Sequence, residues 1–408
     1  MKVPRQPEVN IGLVGHVDHG KTTLTQALTG EWTDRHSEEI KRGISIKLGY
    51  ADAAFYRCPR CPEPQAYGNT PTCKVCGGEV EFLRAVSFVD APGHETLMAT
   101  MLSGAAIMDG ALLLVAANEK CPQPQTREHL TALEIIGVKN VVVVQNKIDL
   151  LDRERARENY QEIREFLKGS SVADAPIVPV SANHGINIDA LIMSIEKNIP
   201  TPSRTEGKPP LMYVARSFDI NRPGTPPAQL AGGVLGGSLL QGTLSVGADL
   251  EIRPGLPSAD GTGQSDHVVT KVTSLISGGQ PLEMLHPGGL AAIGTTLDPA
   301  MTKADALTGR LVGAPGSLPP VTQRIRLKAN LLERVVGSQK ELRVEQIHTS
   351  EVLTLTLGTT IAPGKVTSAR RDEVEINLTR PVTAFPGARV AISRRLNGWR
   401  LIGFGIVK

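Results

Sequence analysis

At 408 residues the chain is too long for one hydrophobic core of ordinary size and is expected to fold as two or three domains. A hydrophobic share of 40% and a charged share of 21% exclude a disordered or fibrous chain, and 3% aromatic residues exclude base stacking on exposed rings as a pervasive binding device. The net charge of only +3 confines any nucleic-acid contact to a local basic patch.

Residues 1–8 are polar and run straight into an apolar strand, with no signal-peptide pattern. The longest apolar runs, at 110–117 and 141–144, are strand-length and far short of the roughly 20 residues of a membrane helix. A soluble, cytoplasmic protein without membrane contact is the expectation. Strands predicted at 10–14, 86–90, 111–117, 140–145 and 177–180 alternate with helix-length amphipathic segments, the signature of an α/β domain with a mainly parallel sheet. This first domain is assigned to residues 1–203, closed by a proline-rich linker around 199–210. Short β-type runs then take over, at 212–218, 232–240, 250–253, 268–275 and 290–294, and predict an antiparallel β-barrel over 204–318. After a second proline cluster at 315–320, runs at 324–329, 352–357, 365–369, 373–378 and 389–393 predict another antiparallel barrel over 319–408. The Gly-, Ser- and Asp-rich segment 257–266 reads as an exposed excursion.

Gly15-His-Val-Asp18-His19-Gly20-Lys21-Thr22-Thr23 follows the first strand and opens a predicted helix over 22–28, the context a phosphate loop requires. Glycines let backbone N–H groups converge on phosphates, the helix N-terminus adds positive potential, Lys21 neutralises β/γ oxygens and the Thr22 hydroxyl ligates magnesium. Asp90-Ala-Pro-Gly93-His94 ends another strand: Asp90 is placed to hold magnesium through water, Gly93 to offer its amide to a γ-phosphate, and His94 to face an attacking water. Asn146-Lys147-Ile-Asp149 and Ser181-Ala182-Asn183 close two further strands. There Asp149 can accept both N1–H and N2–H of guanine, Asn146 anchors the base, the Lys147 stem covers it and the Ala182 amide donates to O6. GTP or GDP is therefore the expected ligand, and hydrolysis of GTP the expected reaction.

The cysteines Cys58, Cys61, Cys73 and Cys76 form Cys-x2-Cys-x11-Cys-x2-Cys, a spacing that fits a tetrahedral thiolate site for structural Zn2+ in an insert at about 56–80. Such a metal stabilises a segment too short to build its own core. Cys121, Trp32 and Trp399 read as packing residues, and His16, His19 and His36 as flanking the nucleotide site.

The letters Gly-His-Val-Asp-His-Gly-Lys-Thr-Thr with Asp-Ala-Pro-Gly-His resemble the translational GTPases. That resemblance implies that His94 orders the hydrolytic water and that Lys41-Arg-Gly43-Ile-Ser45 is the first switch, where Ser45 replaces the family's magnesium-ligating threonine. It also implies a second magnesium near Asp18 and the Gly43 backbone. The cysteine insert, with Pro122-Gln-Pro-Gln-Thr-Arg-Glu-His129, Arg216-Ser-Phe-Asp219 and Lys303-Ala-Asp305, narrows the resemblance to the gamma subunits of translation initiation factor 2. The implied partners are alpha and beta subunits, methionylated initiator tRNA and the small ribosomal subunit. Arg370-Arg371 and Arg394-Arg395 are candidate contacts for RNA phosphates, or equally solvated barrel loops. Two other readings share some of these features: an elongation-type GTPase carrying aminoacyl-tRNA, which has the same nucleotide motifs, and a zinc-dependent RNA-binding protein with a vestigial nucleotide site. Intact Lys21, Thr22, Asp90, His94 and Asp149 speak against the latter.

Overall fold

The computed structural model describes residues 2–33, 48–92, 98–256, 267–335, 342–396 and 398–408. The first switch with Gly43 and Ser45, the pair Gly93–His94, His36 and the segment 257–266 lie outside the described residues.

Residues 2–202 form one compact unit. Its elements are β1 (Val9–Gly15), α1 (Lys21–Thr29), β2 (Gly49–Arg57), β3 (Tyr67–Gly68), β4 (Glu81–Asp90), α2 (Met98–Ala105), β5 (Gly110–Ala116), α3 (Pro124–Ile136), β6 (Asn140–Asn146), α4 (Arg153–Leu167), β7 (Ile177–Pro179) and α5 (Ile188–Asn198). Among the described residues seven strands make one sheet in the order β3-β2-β4-β1-β5-β6-β7. β4, β1, β5, β6 and β7 run parallel, whereas β2 and β3 pair antiparallel at one edge. Parallel strands covered on both faces must be apolar throughout, and β1 and β5 are buried at every position. A cluster around Ile11, Leu13, Leu24, Phe55, Phe88, Leu112 and Val144 fills one side of this sheet. Among the described residues Gly15–Thr22, Asp90, Asn146–Asp149 and Ser181–Asn183 lie at or just after the C-terminal ends of β1, β4, β6 and β7, where doubly wound sheets hold ligands.

β2 and β3 were not predicted. β2 reads Gly-Tyr-Ala-Asp-Ala-Ala-Phe-Tyr-Arg, with little β-propensity; it is a strand because it pairs with β4 from Gly49↔Asp90 to Arg57↔Glu81. The four cysteines occupy the long connection between these two antiparallel strands.

The second unit comprises residues 203–335 and 342–408. It contains β8 (Leu211–Phe218), β9 (Val234–Gln241), β10 (Leu244–Ser245), β11 (Asp249–Arg253), β12 (Val268–Ser277), β13 (Gln280–Leu282), β14 (Met284–Leu285), β15 (Ala291–Thr295) and β16 (Leu311–Gly313). The order β11-β16-β8-β9-β15-β12 closes through β11–β12 pairing, with β13 continuing from β12. Then β17 (Val321–Leu331), β18 (Val352–Leu357), β19 (Thr360–Arg370), β20 (Glu373–Thr383), β21 (Arg389–Arg395) and β22 (Trp399–Val407) close a second antiparallel barrel in the order β17-β20-β19-β18-β21-β22. Each barrel encloses its own apolar cluster, centred on Val214, Leu235 and Ile293 in one and on Leu355, Ile376 and Ile392 in the other. Closure removes the exposed edges that open sheets must protect.

Arg394 is committed within the second barrel. Its guanidinium pairs through Nε and Nη2 with the Glu351 carboxylate and donates to the Glu345 and Gln346 carbonyls at 3.0 and 3.2 Å. It fastens the segment before β18. Trp32 and Trp399, expected to pack, are 46% and 39% exposed.

Candidate functional site

The phosphate loop begins where β1 ends. Gly20 starts α1 from a left-handed conformation, φ 88°, and its N-cap position makes no side-chain cap bond, the arrangement in which a helix N-terminus can receive an anion. A Cβ on Gly20 would also lie 2.4 Å from the Asn146 amide nitrogen, so only glycine fits. Asp18 holds a positive φ of 62°. The buried Lys21 ammonium donates to the carbonyls of Gly15 and His16 at 3.0 and 2.7 Å, poised inside the loop that it would help to neutralise when phosphate is bound. Thr23 follows on the first turn of α1 and is half-buried.

Asp90, 1% exposed, closes β4 beside this loop. Its Oδ2 accepts from the hydroxyls of Thr22 at 2.9 Å and Thr33 at 2.7 Å. A carboxylate and a hydroxyl converging at a phosphate loop are the oxygen donors that magnesium selects, so these side chains fit the ion.

Asn146 braces three loops. Its amide donates to the His19 carbonyl at 2.9 Å and its side-chain oxygen accepts the Ala182 N–H at 3.1 Å. The Ala182 amide, which the sequence reading directs at guanine O6, is thus shared with Asn146. Lys147 adopts a left-handed φ of 64° that turns the chain into the short 3-10 segment carrying Asp149. Asp149 lies 3.6 Å from the exposed His184. Ser181 is buried and bridges to Ile186, while Asn183 is exposed on the same turn.

Histidines line the inner side of the phosphate loop. His19 shares a hydrogen bond with the Leu114 carbonyl at 2.9 Å and faces Glu119 at 3.4 Å. His129, on α3, accepts the Gly15 N–H through Nδ1 at 2.8 Å. Sequence reading missed His129 as a site residue; the available signal was its place at the end of the Gln-Thr-Arg-Glu-His run. Burial, with Lys21 and the other two histidines adding to it, pushes His129 down to about 3, and burial pushes His19 down to about 4 and lowers His16. These rings are neutral in the fold but ionise near 6.5 once the chain unfolds. The unfolded chain therefore binds more protons below that value, so their stabilising contribution is complete above about pH 6.5 and is lost as pH falls towards 4. Denaturation midpoints are expected to stay nearly level from pH 7.5 to about 6.5 and then to drop steadily towards pH 5, and a flat profile over the whole range contradicts this account.

The four cysteine sulfurs lie within 4.8 Å of one another, with Cys58–Cys76 at 3.6 Å and Cys61–Cys73 at 3.7 Å. Zinc–sulfur bonds of about 2.3 Å in a tetrahedron require sulfurs about 3.8 Å apart, so the cluster fits the ion. The coupled thiols split: backbone N–H groups of Cys76 and Val75 pull Cys73 down to about 6, towards the thiolate that a metal needs, whereas burial and the neighbouring cysteines push Cys61 up.

The Elongation factor Tu GTP binding domain family matches residues 6–201, and the family described as Initiation factor eIF2 gamma, C terminal, matches 323–407. Translation initiation factor 2 subunit gamma of Pyrococcus horikoshii is 59% identical over 406 residues, covering 99% of this chain and 98% of the relative. That of Archaeoglobus fulgidus is 60% identical over 403 residues, covering 98% and 95%. This chain belongs to the gamma-subunit family of translation initiation factor 2. It carries an elongation factor Tu-type GTP-binding domain and is a translational GTPase of initiation. Two solved structures share the fold of the gamma-type chain. Elongation factor SelB from Methanococcus maripaludis, in complex with a GTP analogue, has a TM-score of 0.71 at 21% identity, covering 100% of this chain and 80% of that one. A bacterial selenocysteine-specific elongation factor has a TM-score of 0.72 at 24% identity, covering 97% and 58%. Among the described residues no helix is long and apolar enough to cross a membrane.

Proposed function

We propose that this chain is the GTP-binding subunit of a heterotrimeric initiation factor that works in the cytoplasm with alpha and beta partners. It holds methionylated initiator tRNA while GTP is bound, delivers it to the small ribosomal subunit and lets go after hydrolysis. The observation that carries this reading is the 59–60% identity to named gamma subunits along nearly the whole chain, barrels included.

In this reading Lys21 and the amides of Asp18, His19, Gly20, Thr22 and Thr23 receive the phosphates, and Gly93 adds its amide at the γ-phosphate. Asn146, Lys147, Asp149, Ser181, Ala182 and Asn183 hold the guanine. Thr22 and Ser45, with Asp90 through water, would hold magnesium, Asp18 and the Gly43 backbone would hold a second ion, and Cys58, Cys61, Cys73 and Cys76 would hold zinc. Magnesium, when bound, neutralises the charge that develops on the β- and γ-oxygens. His94 orients the attacking water. Contacts to the γ-phosphate order the switches, and tRNA binds that ordered state more tightly than the GDP state, which couples cargo to nucleotide.

The test is the affinity of the GTP-loaded chain, reconstituted with an alpha subunit, for methionylated initiator tRNA against elongator aminoacyl-tRNAs and against the GDP form, at one fixed salt concentration. Marked preference for the initiator in the GTP state is expected. Equal binding of all aminoacyl-tRNAs points to an elongation-type carrier, and binding in neither state leaves only the GTPase.

A further inference from the structure

His129 lies 114 residues from Gly15 in sequence, is 1% exposed, and takes no part in the nucleotide chemistry assigned above, yet its Nδ1 accepts the Gly15 N–H at 2.8 Å. Gly15 is both the last residue of β1 and the first of the phosphate loop. Its φ is 145°, and a Cβ there would come 2.5 Å from the Leu114 carbonyl oxygen, so the residue has no side chain with which to be anchored. It ends the β1 ladder opposite Leu114 of β5, and two side chains hold its backbone groups beyond that ladder: His129 takes its N–H and Lys21 donates to its carbonyl at 3.0 Å. An imidazole nitrogen that accepts carries no proton, so His129 is neutral with its proton on Nε2. Burial beside Lys21 holds it in that form.

We propose that His129 is a positioning residue for nucleotide binding, fixing the start of the phosphate loop through Gly15 so that Lys21 and the first-turn amides of α1 meet the phosphates in a loop already ordered. Lys21 has two calls on its ammonium, the loop carbonyls and the phosphates, and its grip on Gly15 weakens as it turns to the latter. The His129 bond is unaffected by that exchange. Without it the loop has to be ordered at the moment of binding, which costs affinity chiefly as faster release. The proposal rests on the guanine-nucleotide reading.

The experiment compares His129→Leu and His129→Asn in the full chain, by equilibrium affinity and dissociation rate of a fluorescent GDP. Asparagine Oδ1 stands two bonds from Cβ, as Nδ1 does, and can accept; leucine fills similar space and cannot. His129→Leu leaves a buried N–H unpaired and is expected to release GDP about 10- to 100-fold faster, with His129→Asn close to the unsubstituted chain. Unchanged release in His129→Leu overturns the proposal, as does equal loss in both variants. Hydrogen exchange in the unsubstituted, nucleotide-free protein gives a readout that needs no variant: the Gly15 amide should be protected, and fast exchange there overturns the assignment. Failure of the unsubstituted chain to bind GDP sinks the nucleotide reading itself, which is a different result from tight binding that ignores residue 129.

Discussion

Asp149→Asn is expected to lower affinity for GTP and GDP by about 10²–10⁴-fold and to raise affinity for xanthosine triphosphate. The estimate follows from the chemistry of the base edge. A carboxylate offers two acceptors, which match the N1–H and N2–H donors of guanine, and each charge-assisted bond contributes about 1.5–3 kcal/mol. The substitution loses one such bond, sets a donor against the N2–H donor in its place and strips the charge from the other bond, together roughly 3–6 kcal/mol, with each 1.4 kcal/mol a factor of ten. Asparagine turns one acceptor into a donor, so a donor faces the guanine N2 group; xanthine carries a carbonyl at that position and restores the match. In the proposed reading this discrimination falls on Asp149, because Asn146 gives its amide to the His19 carbonyl and its oxygen to the Ala182 N–H. Its neighbour His184, 3.6 Å away, is more than half exposed and supplies no acceptor pair of its own. The substitution touches little else, so the melting temperature of the nucleotide-free protein should hardly move. Competition between GTP and the xanthine nucleotide for one labelled probe measures the effect, and unchanged preference for GTP removes Asp149 from the base site.

The parts of this molecule that were legible in the sequence are those whose signal is local. The strand before each nucleotide motif is a continuous apolar run, since a parallel strand buried on both faces has no alternative, and the motif itself marks the strand's end. The phosphate loop, Asp90 and the cysteine quartet are spacing patterns that survive without any knowledge of tertiary contacts. What was not legible depends on pairing. β2 is alanine-rich and becomes a strand only against β4. The closing strands of both barrels were also missed. β16 has three residues, too few for a periodic signal, and β22 contains Gly403 and Gly405, which read as turn residues in sequence. In the barrel they are mid-strand, and Gly403 is required because a Cβ would lie 2.3 Å from the Asn330 carbonyl of β17. The roles of Arg394, absorbed by Glu351, and of His129, joined to a glycine far away in sequence, are of the same kind. A side chain's partner is a product of the fold, and residue type alone does not reveal it.

Replacing Cys73 by serine, or stripping the metal with a strong chelator, is expected to unfold the cysteine-bounded segment and to speed nucleotide release several-fold. The first effect follows from size. The nineteen residues from Cys58 to Cys76 contribute only Cys58, Ala66, Tyr67 and Cys73 as buried apolar groups, far too few to offset the entropy of ordering them. Structural zinc contributes about 10–16 kcal/mol of apparent binding free energy in small peptides, and if these four cysteines hold it, that energy would go to folding the segment. The second effect follows from where the segment is fastened. Ala66 and Tyr67 pack into the main core of the sheet, Glu63 takes the Lys197 ammonium of α5 at 2.5 Å, and the Asn69 amide donates to the Ala27 and Leu28 carbonyls at 3.1 and 3.0 Å. Those carbonyls belong to the last turn of α1, and the first turn of the same nine-residue helix carries Lys21, Thr22 and Thr23. A helix this short depends on tertiary contacts and caps for its stability, so unfastening one end loosens the other. Metal analysis should return one zinc per chain, falling in Cys73→Ser, with new protease cleavage between residues 58 and 80 and faster GDP release. A zinc-depleted protein that resists cleavage there would show that the insert folds on packing alone; cleavage without any change in GDP release would break the link from the metal through Asn69 and α1 to the phosphate loop.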